Sequence, residues 1–193
     1  LTVQEQRGLD AFNDPKRGNC ASCHPSQPDR RGIPPAFSDY GFIALGAPRN
    51  SGIPANADPM HFDLGLCGPL RTDVAGHAEY CGRFRTPTLR NVATRSAFFH
   101  NGVVHTLRDA VAFYATRDTQ PARWYGRGPD GAPRRFDDLP EEYRANVELG
   151  APFGQRPGGA PSLSDDDIDA IVAFLETLTD ADARNVRARL SRP

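Results

Sequence analysis

Cys20, Ala21, Ser22, Cys23 and His24 form one Cys-x-x-Cys-His run near the start of the chain. Two thiols at this spacing can add to the two vinyl groups of a haem, and the next residue is then placed beneath the iron as its proximal ligand. Covalent attachment constrains everything around it. The chain must build a pocket large enough for a macrocycle and bring a second wall against it. The rival reading takes Cys20 and Cys23 together with Cys67 and Cys81 as an all-thiolate zinc site, a structural module that leaves His24 without a purpose. A thioredoxin-like redox pair requires a βαβ pattern around the motif, and none is present.

The rest of the chain fits a haem better than a regular core. There are 18 glycines and 18 prolines in 193 residues, about a fifth of the chain against about 12% on average. From Pro25 to about Gly82 neither helical nor strand periodicity is sustained. Arg117 to Gly159 is again irregular, apart from a short helix near Glu141–Val147. Cys67 and Cys81 flank a short Gly-containing stretch and pair naturally as a disulfide in an exported protein, closing a loop worth roughly 3 kcal/mol. The chain opens Leu1-Thr2-Val3, as expected of a mature form or fragment whose targeting segment has gone. Lys plus Arg is 23 and Asp plus Glu is 24, so the basic excess of a nucleic-acid binder is lacking. No apolar run is long enough to span a membrane.

Three helices are legible. Thr2 caps the first, with Glu5 at the capping-box position, and Asn13-Asp14-Pro15 ends it. Gly8 inside that helix points to close approach of another element. Thr106 caps a second helix with Asp109 three residues on. Its apolar stripe is Leu107, Ala110, Val111 and Tyr114. Ser164 caps the third, where Asp165, Asp166 and Asp167 suit the positive N-terminus. Ile168, Ile171, Val172, Leu175 and Leu178 recur at helical spacing there. The fold class expected is mostly α: a cytochrome c-like haem domain over residues 1–193, with irregular loop insertions at about 25–105 and 117–160.

Two further motifs accompany the Cys-x-x-Cys-His run: Phe84-Arg85-Thr86-Pro87-Thr88-Leu89-Arg90-Asn91 and Phe99-His100-Asn101-Gly102. With the Thr106–Val111 helix and the Ile168–Leu178 helix, the set resembles the C-terminal haem domain of bacterial di-haem cytochrome c peroxidases, the MauG-like branch most of all. The resemblance implies a single covalent haem c relaying electrons or oxidising equivalents in the periplasm. Hydrogen peroxide would then be handled indirectly, on a peroxidatic haem domain that in this family lies N-terminal to the electron-transfer half. A different redox protein could take that partner's place. A stand-alone mono-haem electron carrier is the alternative.

The residue assignments follow. Cys20 and Cys23 attach the haem and His24 is the proximal ligand. On the distal side the alignment implied by the resemblance puts Tyr114 at the ligand position, where a hard phenolate would favour Fe(III); helix pattern alone would make it a core aromatic. The single methionine, Met60, lies outside that helix. Arg85 and Arg90 are candidates for pairing with propionates, or else belong to a solvated loop surface. His100 is a candidate for contact with the haem and a possible catalytic residue. His61, His77 and His105 read as surface or hydrogen-bonded histidines, and Trp124 as a loop anchor. In the family, backbone carbonyls near Thr86 to Thr88 help bind a calcium ion between the two domains, so calcium is a further expectation.

Overall fold

Thr2 starts helix α1 (Val3–Asn13) with a reciprocal cap: its hydroxyl accepts from the Glu5 N–H, and the Glu5 carboxylate accepts from the Thr2 N–H. This satisfies two of the donors that a helix N-terminus leaves unpaired. Ser164 and Asp167 repeat the device at helix α4 (Asp165–Thr177). Thr106 caps helix α2 (Leu107–Thr116) by accepting from the Asp109 N–H, while the Asp109 carboxylate takes the Thr106 hydroxyl and Arg123. A one-turn helix, α3 (Pro121–Trp124), begins at a proline whose missing N–H costs nothing there. The computed structural model describes residues 1–71, 73, 74 and 76–183.

The other regular structure is slight. Strand β1 (Phe42–Ile43) pairs antiparallel with β2 (Phe84–Arg85). Short 3-10 turns cover Pro54–Ala57, Ala78–Tyr80, Val92–Thr94 and Glu141–Asn146, the last where a short helix was expected. Cys67 and Cys81 form a disulfide. No described helix is long and apolar enough to cross a membrane.

Helix α4 is the spine, packing on α1 along one side and on α2 along another. Gly8 is where α1 and α4 touch backbone to backbone: a Cβ there would lie 2.0 Å from the Ala170 carbonyl oxygen. Next to this crossing Phe12 meets Phe174 edge-on at 5.4 Å, and both contact Phe37. Asn91, the last residue of the Thr86–Asn91 motif, closes the other end of α4. Its N–H donates to the Leu178 carbonyl at 2.9 Å, and its side chain exchanges hydrogen bonds with Asp180. Arg108 ties α2 to α4 through Asp165 and Asp169. Asp167 receives Arg7 at 2.9 Å and Arg17 at 2.5 Å, joining the N-terminus of α4 to the middle of α1 and to the turn that follows it.

Two outcomes follow from this packing. Gly8→Ala adds helix propensity but forces two backbones apart, so it should lower the unfolding free energy in urea by about 3 kcal/mol. Burial works against ionised Asp167, but hydrogen bonds from Arg17, Ser164 and Arg7 outweigh it and hold its carboxyl well below the usual range. A depressed folded pKa contributes stability that is present above the unfolded value, about 3.9, and lost as pH falls below it. The urea midpoint should therefore drop between about pH 4 and pH 2, and less steeply in Asp167→Asn.

Candidate haem site

Asn19 turns the chain with a left-handed backbone at φ 46°, and Cys20–Ser22 form a single 3-10 turn. His24 N–H donates back to the Cys20 carbonyl at 2.9 Å. This compact turn sets both thiols and the imidazole on one rim. They line a cavity of about 620 Å³, within the usual range for cofactor pockets. Leu107, Ala110, Val111 and Tyr114, the stripe read from the sequence, form its α2 wall. The opposite face of α2 is buried as well, through Ala112, Phe113, Ala115 and Thr116.

His24 Nδ1–H donates to the Phe37 carbonyl at 2.8 Å. A carbonyl only accepts, so the proton sits on Nδ1 and the Nε2 lone pair is free to ligate a metal. Burial lowers the His24 pKa below its ordinary value, the Phe37 bond opposing this only in part, so the ring is neutral at neutral pH. Phe37 presents that carbonyl from a left-handed backbone, φ 50°, a conformation costly for an aromatic residue. Its ring, buried against Phe12 and Phe174, holds it there.

Cys20 and Cys23 are both unpaired. Burial pushes the Cys20 thiol up to about 12 and raises Cys23, which disfavours the thiolates that zinc needs. Cys67 and Cys81 are bonded to each other, and among the described residues no group of three or more His, Cys, Asp or Glu is gathered for a metal. The four-thiolate zinc module is therefore overturned: the two pairs lie at separate places in the fold.

Tyr114 lines the same cavity. Its ring stacks with Phe153 at 5.4 Å and meets Phe99 and Phe113 at 6.3 and 6.2 Å. Its hydroxyl has no hydrogen-bond partner among the described residues, whereas the hydroxyl of the buried Tyr125 donates to the Gly46 carbonyl at 2.6 Å. A phenol with no protein partner on the wall of the cavity fits a ligand there. Desolvation raises its pKa.

Arg85 lines the cavity mouth, its guanidinium over the Tyr40 ring at 4.8 Å. Arg95, which the sequence did not single out, lies there too, and neither has a carboxylate partner among the described residues. Such guanidinia suit the acidic edge of a haem. Arg90 is a correction: it does not line the cavity, because its guanidinium clips the Pro34 and Pro35 carbonyls at 2.8–3.1 Å. His100 does line it, stacked flat on Phe84 at 3.6 Å with Nε2–H donating to Asp138 at 3.1 Å. Asn101 Nδ2 also donates to Asp138, at 2.8 Å.

The remaining candidates lie elsewhere. Met60 is 80% exposed, away from the cavity. His77 bonds Glu79, His105 bonds the Ser96 carbonyl, and the His61 carbonyl takes Arg49. Trp124 is an anchor, its Nε1–H donating to Thr116 and its ring edge-on to Phe113. The Thr86 carbonyl accepts from Ser38, and the Thr88 hydroxyl donates to the Ala36 carbonyl.

The sequence gives no hint of Arg117 and Asp118, since adjacent opposite charges after an apolar helix read as a solvated end. Both are buried, at 0% and 1% exposure. Arg117 grips the Asp118 carboxylate at 2.7 and 3.1 Å and also donates to the Leu45 and Glu148 carbonyls. Asp118 additionally receives Arg135 and the Gly154 N–H. Leu45 and Glu148 both line the cavity, so this pair fixes part of its wall.

No family model matches the chain. It is 34% identical over 179 residues to methylamine utilization protein MauG of Paracoccus denitrificans, covering 84% of this chain and 39% of that protein. A cytochrome-c peroxidase of a Pseudomonas species is 28% identical over 131 residues, 59% of this chain and 31% of that one. Among solved structures, the diheme peroxidase BthA of Burkholderia thailandensis superposes with a TM-score of 0.83 at 49% identity, covering 94% of this chain and 43% of that chain. The chain thus spans about two fifths, or less, of the length of these relatives.

Asp118→Ala would leave Arg117 buried and uncompensated. Unfolding in urea should show a loss of about 3–5 kcal/mol, far more than Asp29→Ala, which removes only the exposed pair with Arg31.

Proposed function

The chain belongs to the di-haem cytochrome c peroxidase and MauG-like family, and we propose that it is the C-terminal, electron-transferring haem domain of such a protein. Cys20 and Cys23 hold one haem through thioethers, and His24 ligates the iron through Nε2. Bound there, haem c supplies a one-electron Fe(III)/Fe(II) couple. The Phe37 carbonyl keeps the imidazole in the ligating tautomer and makes it a stronger donor. Tyr114 would supply the ligand on the side opposite His24, where a hard phenolate oxygen would favour the ferric state and lower the potential. Arg85 would hold a propionate, and His100, oriented by Asp138, would line the haem cavity. The side chains of Leu107, Ala110 and Val111 exclude water.

The observation that carries this reading is the His24–Phe37 bond, which leaves Nε2 free in a cavity shared with two unpaired thiols. The partner is an N-terminal peroxidatic haem domain, where hydrogen peroxide is reduced, so peroxidase-type activity belongs to the two-domain protein. A calcium ion at the carbonyls of Thr86 to Thr88 would need that domain to complete its shell. The periplasm is the compartment, in keeping with the Cys67–Cys81 disulfide.

The test is the absorption spectrum of the chain purified from a host that matures cytochromes c, before and after dithionite. The expected result is a sharp reduced α band of haem c, resistance to ascorbate, and loss of the native spectrum in His24→Ala. Tyr114→Phe should bind cyanide at the ferric iron far faster than the unmutated protein. Absence of a Soret band would overturn the haem assignment; equal cyanide rates would remove Tyr114 from the iron.

A further inference from the structure

The segment from Glu148 to Gly154 is fastened at both ends and in its middle. Arg117 Nη2 donates to the Glu148 carbonyl, the Gly154 N–H donates to Asp118, and Asn19 Nδ2 donates to the Ala151 carbonyl, each at 2.8 Å. Gly154 closes the turn at φ 84°, where a Cβ would lie 2.3 Å from the Leu149 carbonyl oxygen. One attachment thus reaches the residue before Cys20, and two reach the residues just beyond α2, which carries Tyr114.

Phe153, 6% exposed, is the buried aromatic side chain of this segment. Its ring lies 3.7 Å from the Arg117 guanidinium carbon and stacks with the Tyr114 ring at 5.4 Å and 28°. Among the described residues nothing hydrogen-bonds the Tyr114 hydroxyl, and the ring's contacts with Phe99 and Phe113 are longer and steeply inclined. Orientation of the phenol therefore depends on the stacked Phe153 ring more than on any other group. That ring cannot retreat while Arg117, itself locked by Asp118 and two carbonyls, is stacked on it.

We propose that Phe153 is a positioning residue for Tyr114: anchored by Arg117, it holds the phenol ring in place and so governs how readily the phenol oxygen leaves the sixth position. This rests on the reading of Tyr114 as the sixth ligand. The cost of releasing Tyr114 includes unstacking Phe153, so weakening that stack should open the iron to small ligands without touching His24 or the thioethers.

The experiment is a double-mutant cycle on the haem-loaded chain, with cyanide binding to the ferric protein followed by stopped-flow absorbance. Phe153→Ala should speed binding by about tenfold, and Phe153→Leu, which keeps bulk without stacking, should fall between. In the Tyr114→Phe background, where no phenol oxygen has to leave, Phe153→Ala should add nothing further. An equal acceleration in both backgrounds would make Phe153 a barrier to entry and overturn the proposal. So would an unmutated rate in Phe153→Ala alongside a fast Tyr114→Phe. If Tyr114→Phe itself binds cyanide no faster than the unmutated protein, the ligand reading fails and the inference falls with it. Phe153→Leu answers the same question should Phe153→Ala not fold.

Discussion

The loops of this protein depend on one buried ion pair. Arg117 and Asp118 leave helix α2 and turn inward, where they pair with each other, Arg117 donates to two carbonyls, and Asp118 accepts from the Gly154 N–H and Arg135. Stretches without regular secondary structure, around Leu45, Arg135 and Glu148–Gly154, are thereby tied to the end of one helix. A buried pair gains little over an apolar core of the same volume, but removing one member is costly. Its role is to fix conformation: irregular backbone has no ladder of its own, and a buried charge pair bonded to four separate points of the chain supplies one.

The opposite wall is fixed by packing. The α1–α4 crossing at Gly8 brings Phe12 and Phe174 together, and Phe37 lodges against both. That lodging stabilises a left-handed backbone at Phe37, and the strained turn directs a carbonyl at His24 Nδ1. Helix crossing, aromatic packing, backbone strain and imidazole tautomer form one chain of cause. A change at Gly8, outside the Cys-x-x-Cys-His run, bears on the orientation of its histidine.

Much of this was legible in residues. The caps at Thr2, Thr106 and Ser164 are local chemistry, decided within three or four positions, and each forms as read. Gly8 announced a close approach because glycine in a helix is otherwise a liability. The stripe from Leu107 to Tyr114 pointed inward as periodicity requires. The Cys67–Cys81 pairing was open to a rival, the zinc module, until the other two cysteines were found apart from it. Arg90 shows the limit of motif reasoning. An arginine beside a conspicuous loop pairs with whatever acceptor its backbone position offers, and here the nearest are the Pro34 and Pro35 carbonyls.

By itself, the sequence determined the Cys-x-x-Cys-His motif, the three principal helices with their caps and the face α2 turns to the cavity, because those features rest on spacing along a few residues. Only the tertiary structure decided which nitrogen of His24 is free, that Tyr114 stacks on Phe153, that Arg117 and Asp118 are buried, and that Arg95 stands at the cavity mouth while Arg90 does not. These are meetings between residues tens of positions apart, joined by loops without periodicity. Nothing in a local pattern specifies where such loops cross; the packing of the whole chain around one cavity does.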